Sequence, residues 1–148
     1  MSNVFAREHK PTGKEYYDLA LRLRTRVYLF VMNEKNVPLR HRRYHADPVI
    51  AQLVRLRRGI VDGQTIYPTN AAELQQKRDA IQQAINACEN IIQALQETVV
   101  TFYVDVEKMV DISNMLIQES ALLRKWKKNA AIPQKKEGDT TAPKPAER

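Results

Sequence analysis

The sequence predicts an all-α protein, an antiparallel up-down-up-down four-helix bundle. Three observations carry this reading. Four segments space apolar residues at i, i+3, i+4 and i+7, the period of one helix face. Short breaks marked by proline or a capping residue separate them. Glycine, which weakens helix interiors, occurs only four times in 148 residues. Long helices with short connections bury their stripes against one another.

The first segment runs from about Thr12 to Lys35. Thr12 with Glu15 three residues later reads as a capping box. Tyr16, Leu19, Ala20, Leu23, Val27, Phe30 and Val31 form its stripe, with Arg22, Arg24 and Arg26 off that face. Val37-Pro38 breaks it, because the residue before proline disfavours the α region. The second segment spans about Leu39 to Gln64, with a stripe of Ile50, Leu53, Val54, Arg57, Ile60 and Val61. Asp47-Pro48 fits either an N-cap followed by proline or a kink inside a longer helix.

Ile66-Tyr67-Pro68 closes the second segment, and Asn70 with Glu73 forms another capping box. The third segment, about Ala71 to Thr101, carries Leu74, Arg78, Ile81, Ile85, Cys88, Ile92, Leu95, Val99 and Phe102 in alternating steps of three and four. That spacing is close to a coiled-coil seam. Its glutamines, Gln75, Gln76, Gln82, Gln83, Gln93 and Gln96, read as an ordinary exposed face or as a polar subunit interface. The fourth segment, about Val106 to Lys128, is expected to bury Val106, Met109, Val110, Ser113, Leu116, Ile117, Leu123 and Trp126. Arg124, Lys125, Lys127 and Lys128 at its end complement the helix macrodipole.

Residues 12–130 are therefore expected to form the bundle and residues 1–11 an N-terminal arm. Residues 131–148, with two prolines near the end and few apolar side chains, are expected to be disordered. Cys88 reads as a buried small hydrophobe, and a single cysteine excludes an intrachain disulfide framework. No apolar run approaches the roughly 20 residues of a membrane span. The charged start, Arg7 to Lys10, is unlike a signal peptide, so a cytoplasmic protein with no membrane partner is expected.

The net charge is +7, and it is unevenly placed. Residues 1–63 hold 13 Lys/Arg against 6 Asp/Glu, while residues 64–148 hold 11 of each. Such asymmetry points to a polyanion-facing surface in the N-terminal half. The densest stretch is Arg40-His41-Arg42-Arg43-Tyr44-His45. Arginine offers a fork of donors to phosphate, and Tyr44 adds a face on which a base can stack. Arg55, Arg57 and Arg58 follow on the same segment, and Arg22, Arg24 and Arg26 add three more from the first. The ten expected nucleic-acid contacts are Arg22, Arg24, Arg26, Arg40, His41, Arg42, Arg43, Arg55, Arg57 and Arg58. The bland alternative is a solvated helix end whose long stems cover apolar surface.

Catalytic signatures are missing. No Gly-rich phosphate loop, nucleophile elbow or metal-ligand spacing occurs, so no cofactor, no metal and no enzymatic activity are expected. His41 and His45 are four apart, but arginines flank them and repel a cation. Arg40 and His45 also fit the R-x4-H spacing of the HEPN ribonucleases, where the pair would polarise a phosphate and a 2′-hydroxyl. The order of elements around the motif is unlike those nucleases.

The chain further resembles a known family. Tyr16-Tyr17-Asp18-Leu19 on the first segment, Val37-Pro38-Leu39-Arg40-His41-Arg42 opening the second, Ile66-Tyr67-Pro68 before the third, and Glu119-x-x-Leu122-Leu123-x-x-Trp126-Lys127 at the end carry the likeness. Over roughly residues 12–129 it is similar to the four-helix-bundle relatives of ribosomal-RNA intervening-sequence proteins. Within these it looks most like the accessory variability determinant (Avd) proteins of diversity-generating retroelements. The resemblance implies a homopentameric ring of basic bundles without catalytic chemistry. It implies a reverse transcriptase and its template RNA and cDNA as partners, in support of mutagenic cDNA synthesis. Only the basic positions of the first two segments match a family feature. The alternatives are a HEPN-like ribonuclease and another nucleic-acid-binding four-helix bundle.

Overall fold

A computed structural model describes residues 14–134. Within them lie five α-helices, one 3-10 turn and no strand. The helices are α1 (Glu15–Met32), α2 (Arg42–His45), α3 (Asp47–Thr65), α4 (Ala71–Phe102) and α5 (Glu107–Asn129), with the turn at Leu39–His41. The all-α class agrees with the sequence, and the arrangement is compatible with a helical bundle. α4 packs most extensively on α3 and then on α5, while α1 lies against α5 and α3. The expected arm and the tail beyond residue 134 lie outside the described residues; residues 131–134 have no regular structure.

α1 buries Leu19, Ala20, Leu23, Val27, Phe30 and Val31, the stripe read from the sequence. Its start differs. Lys14 is the N-cap and makes no side-chain cap, so Glu15 stands in the first turn instead of closing a capping box. Thr12 lies outside the described residues. There the Glu15 carboxylate favours the positive end of the helix. The helix also stops earlier than expected, at Met32. Asn33 Oδ1 accepts from the Lys35 N–H at 2.9 Å, a local bond that competes with the helical one. Two side chains then occupy the last carbonyls of α1. The buried Asn36 donates Nδ2–H to Phe30 O, and Arg42 donates Nη2–H to Met32 O, both at 2.9 Å.

The two readings of Asp47-Pro48 each hold in part. Ala46 is the N-cap of α3, Asp47 is its first residue, and Pro48 sits in the first turn, where its missing N–H costs nothing. Yet Ala46 keeps right-handed helical angles. It donates to Arg42 O at 2.8 Å and accepts from the Ile50 N–H at 3.0 Å, so α2 leads into α3 with little interruption.

The buried face of α3 is Val49, Leu53, Leu56, Gly59, Ile60 and Gly63. The expected stripe of Val54, Arg57 and Val61 is instead exposed, and Ile50 is half-buried. Close packing explains the rotation. A Cβ at Gly59 would stand 2.7 Å from Ala80 O and 2.8 Å from Ala84 N. One at Gly63 would stand 2.7 Å from Trp126 Cη2. Gly59 lets α3 and α4 approach backbone to backbone, Gly63 makes room for the Trp126 ring and the Ile81 side chain, and these contacts select the face.

α4 is capped as the sequence predicts. Asn70 Oδ1 accepts from the Glu73 N–H at 2.9 Å. Glu73 Oε1 reaches back one residue further than expected, to the Thr69 N–H at 2.7 Å and its hydroxyl at 2.6 Å. These bonds hold the Glu73 carboxyl below its ordinary range. Ile81, Ala84, Ile85, Ala87, Cys88, Ile91, Leu95 and Thr98 form the buried stripe, wider than a two-position seam, and Ile92 is only half-buried. Among the glutamines only Gln82 is partly buried. The helix ends at Tyr103 in the left-handed region (φ 53°), after which the Val104 N–H returns to Val99 O at 3.2 Å.

On α5 the stripe is also displaced. Met109, Ile112, Leu116, Glu119, Ser120 and Leu123 are buried, while Val106, Val110 and Ile117 are 58%, 44% and 59% exposed. Two polar residues sit where the apolar spacing should continue, so counting hydrophobes selects the wrong face. Trp126 anchors this end: its ring stacks on Tyr16 at 4.1 Å, and Lys77 Nζ lies 5.5 Å from its centre. Cys88 is fully buried, and burial pushes its thiol far above the ordinary range, with Glu119 and Glu89 adding to the effect.

Candidate functional site

Of the arginines that the sequence singles out on α1 and α3, five are exposed and Arg24 is partly buried. Arg22 and Arg26 are exposed and lie one turn apart. Arg55 and Arg58 are likewise exposed, at i and i+3. The two sets meet at Arg24 and Arg57. Burial lowers the Arg24 pKa, and the Arg57 charge lowers it further, against a smaller opposing effect of Tyr17. The Arg57 charge therefore acts on Arg24 across the α1–α3 packing. Arg24 Nε is buried and has no hydrogen-bond partner among the described residues. The Arg124–Glu89 ion pair joins α5 to α4 and involves none of these arginines. Clustered cations raise the local potential and favour a polyanion. The exposed Val54 and Val61 flank Arg57 at i−3 and i+4.

The 38–45 stretch divides in two. Arg40, Arg43 and Tyr44 are exposed, Tyr44 at 79%. Arg42, His41 and His45 face inward. Arg42 is spent on Met32 O, and its buried Nε has no hydrogen-bond partner among the described residues. His41 and His45 pack on Phe102 at the end of α4, with ring centres 5.2 and 4.8 Å away. Arg40 Nε donates to His41 Nε2 at 3.3 Å, so Arg40 is engaged with His41. This ring cluster fastens the segment to the bundle and leaves Arg40, Arg43 and Tyr44 outward. Among the described residues no group of three or more His, Cys, Asp or Glu is placed to hold a metal. No described helix is long and apolar enough to cross a membrane.

Counting charge missed one feature. Arg78 on α4 and Arg124, Lys127 and Lys128 on α5 line a common groove. They belong to the half of the chain with zero net charge. The signal was present in the i, i+3, i+4 spacing of Arg124, Lys127 and Lys128, which keeps them on one face.

Comparison of the chain with protein-family models, with curated proteins and with solved structures found no match.

Proposed function

We propose that this protein is a non-catalytic nucleic-acid-binding bundle whose α1–α3 arginine face holds the phosphate backbone of RNA. One observation carries the reading: α1 packs beside α3 so that the Arg57 charge acts on Arg24, and Arg22, Arg26, Arg55 and Arg58 stand exposed on the same two helices. Arg42 is committed instead to the Met32 carbonyl and is not counted in this face. The outward Arg40, Arg43 and Tyr44 extend the face with phosphate forks and a stacking ring.

Within this reading the four long helices run up-down-up-down. The family resemblance gives the particular role, an accessory protein of a diversity-generating retroelement in the cytoplasm. It binds the reverse transcriptase and the template RNA or cDNA, and assembles as a homopentameric ring. The exposed Val106, at the N-cap of α5, and Val110 and Ile117 within it support a protein contact, because their spacing puts them on one face and they lie uncovered in the single chain.

The test is titration of the purified chain into template RNA between about 50 and 200 mM salt, with mass measured by light scattering. Affinity is expected to fall by orders of magnitude across that range. Absence of RNA binding at low salt would overturn the reading, and a monomeric mass would overturn the ring.

A further inference from the structure

We propose that the groove between α4 and α5 is a second phosphate-binding site, taking the backbone of a single nucleic-acid strand separately from the arginine face. Arg78, Gln82 and Ile85 stand at i, i+4 and i+7 on α4, and Arg124, Lys127 and Lys128 at i, i+3 and i+4 on α5. The space between them is about 510 Å³ and open to solvent, within the usual size of ligand sites. No carboxylate lines it. It shares no helix with the arginines of α1 and α3.

Complementing the α5 macrodipole does not account for so many cations. That dipole amounts to roughly half a charge at the helix end, and four cations line the groove. Three of them are also held in place. Arg78 Nη2 donates to Ala130 O at 3.0 Å, and Lys127 Nζ to Gln82 Oε1 at 2.7 Å. Arg124 Nε donates to Ser120 Oγ at 3.2 Å, and its Nη2 lies 3.5 Å from Glu89 Oε2. A guanidinium has five donors and an ammonium three, so each keeps donors for a ligand. Side chains already ordered lose less entropy on binding. The Arg124–Glu89 pair has both partners more than half exposed and is worth little by itself.

The cations are spread out instead of converging on one point. Arg124 and Lys128 are four residues apart, about 6 Å along the helix axis. Ile85, fully buried, closes the floor between the two helices. An open trough with charge along its length suits successive phosphates of a strand better than one small anion.

The test uses the intact chain and an unstructured 20-nucleotide single-stranded RNA, read by fluorescence anisotropy at several salt concentrations. The variant Arg78→Gln/Lys127→Gln/Lys128→Gln is expected to bind about tenfold more weakly at low salt. Its log–log salt slope should shrink by about 2, three contacts at about 0.7 each. A second variant, Arg124→Gln/Lys128→Gln, keeps the Arg78 and Lys127 hydrogen bonds and guards against a folding defect; its slope should shrink by about 1.4. Unchanged affinity and slope in both variants overturn the proposal. Inorganic phosphate or a mononucleotide binding in a groove-dependent way, with strand affinity untouched, would also overturn the strand assignment. Loss in the groove variants with none on neutralising the α1–α3 arginines would leave this site standing and remove the arginine-face reading.

Discussion

Glu119 offers a sharp test of the packing. Its side chain is fully buried on α5, and neither carboxylate oxygen has a hydrogen-bond partner among the described residues. The adjacent Ser120 hydroxyl is no help, since it donates to Glu89. Burial without a partner disfavours the charged form and raises the pKa from 4.5 to about 8. Between those values the folded carboxyl keeps a proton that the unfolded chain has released. The contribution of Glu119 to stability is therefore greatest below about pH 4.5, falls as pH rises through the window, and levels off above pH 8. At 1.36 kcal/mol per unit, the full loss is up to about 5 kcal/mol, with about 3 kcal/mol already lost at pH 7. Glu119→Gln removes the titration while keeping a polar group of similar shape. Urea unfolding of both proteins from pH 4 to 9, at one fixed protein concentration, isolates this group, because all others cancel in the difference. The curves should coincide near pH 4 and separate by several kcal/mol at pH 8.5, with the variant more stable. Parallel curves would refute the placement of Glu119 in a dry core.

Two further expectations follow from close contacts. Gly59→Ala gains about 1 kcal/mol of helix propensity but drives a Cβ into the α4 backbone, so a net loss of about 1–2 kcal/mol is expected in urea unfolding; a stabilised variant would contradict the backbone-to-backbone packing. Arg42→Ala should cost about 1 kcal/mol of stability by freeing the α1 C-terminus, whereas Arg43→Ala should leave the melting point unchanged and weaken RNA binding. An Arg42 variant of native stability would show that its bond to Met32 contributes nothing.

The sequence revealed the helices more readily than their faces. Apolar spacing found every long helix, and Asn70-x-x-Glu73 located the start of α4 to the residue. Faces were misread where something other than hydrophobicity chose them. On α3 the choice lies with Gly59 and Gly63, which count as breakers in a sequence but here permit contact. On α5 it lies with Leu116 and Leu123, and the intervening Glu119 and Ser120 hide the periodicity.

The exposed arginines on α1 and α3 were easy to single out because they cluster in the chain. Three things were not. Arg24 and Arg57 meet only through the packing of α1 beside α3. Arg42 is diverted to a carbonyl ten residues back, which a count of basic residues does not register. The α4–α5 groove assembles cations about 50 residues apart, in a half of the chain where acids elsewhere cancel them in the sum.

The most direct test of the central claim is the salt dependence of RNA binding by a variant in which Arg22, Arg26, Arg55, Arg57 and Arg58 are replaced by Gln. All five are exposed, so folding should survive, as a thermal melt would show. If they hold phosphates, affinity collapses and the log–log slope shrinks by about 3.5 on a single strand. Wild-type affinity and slope in this variant would contradict the account.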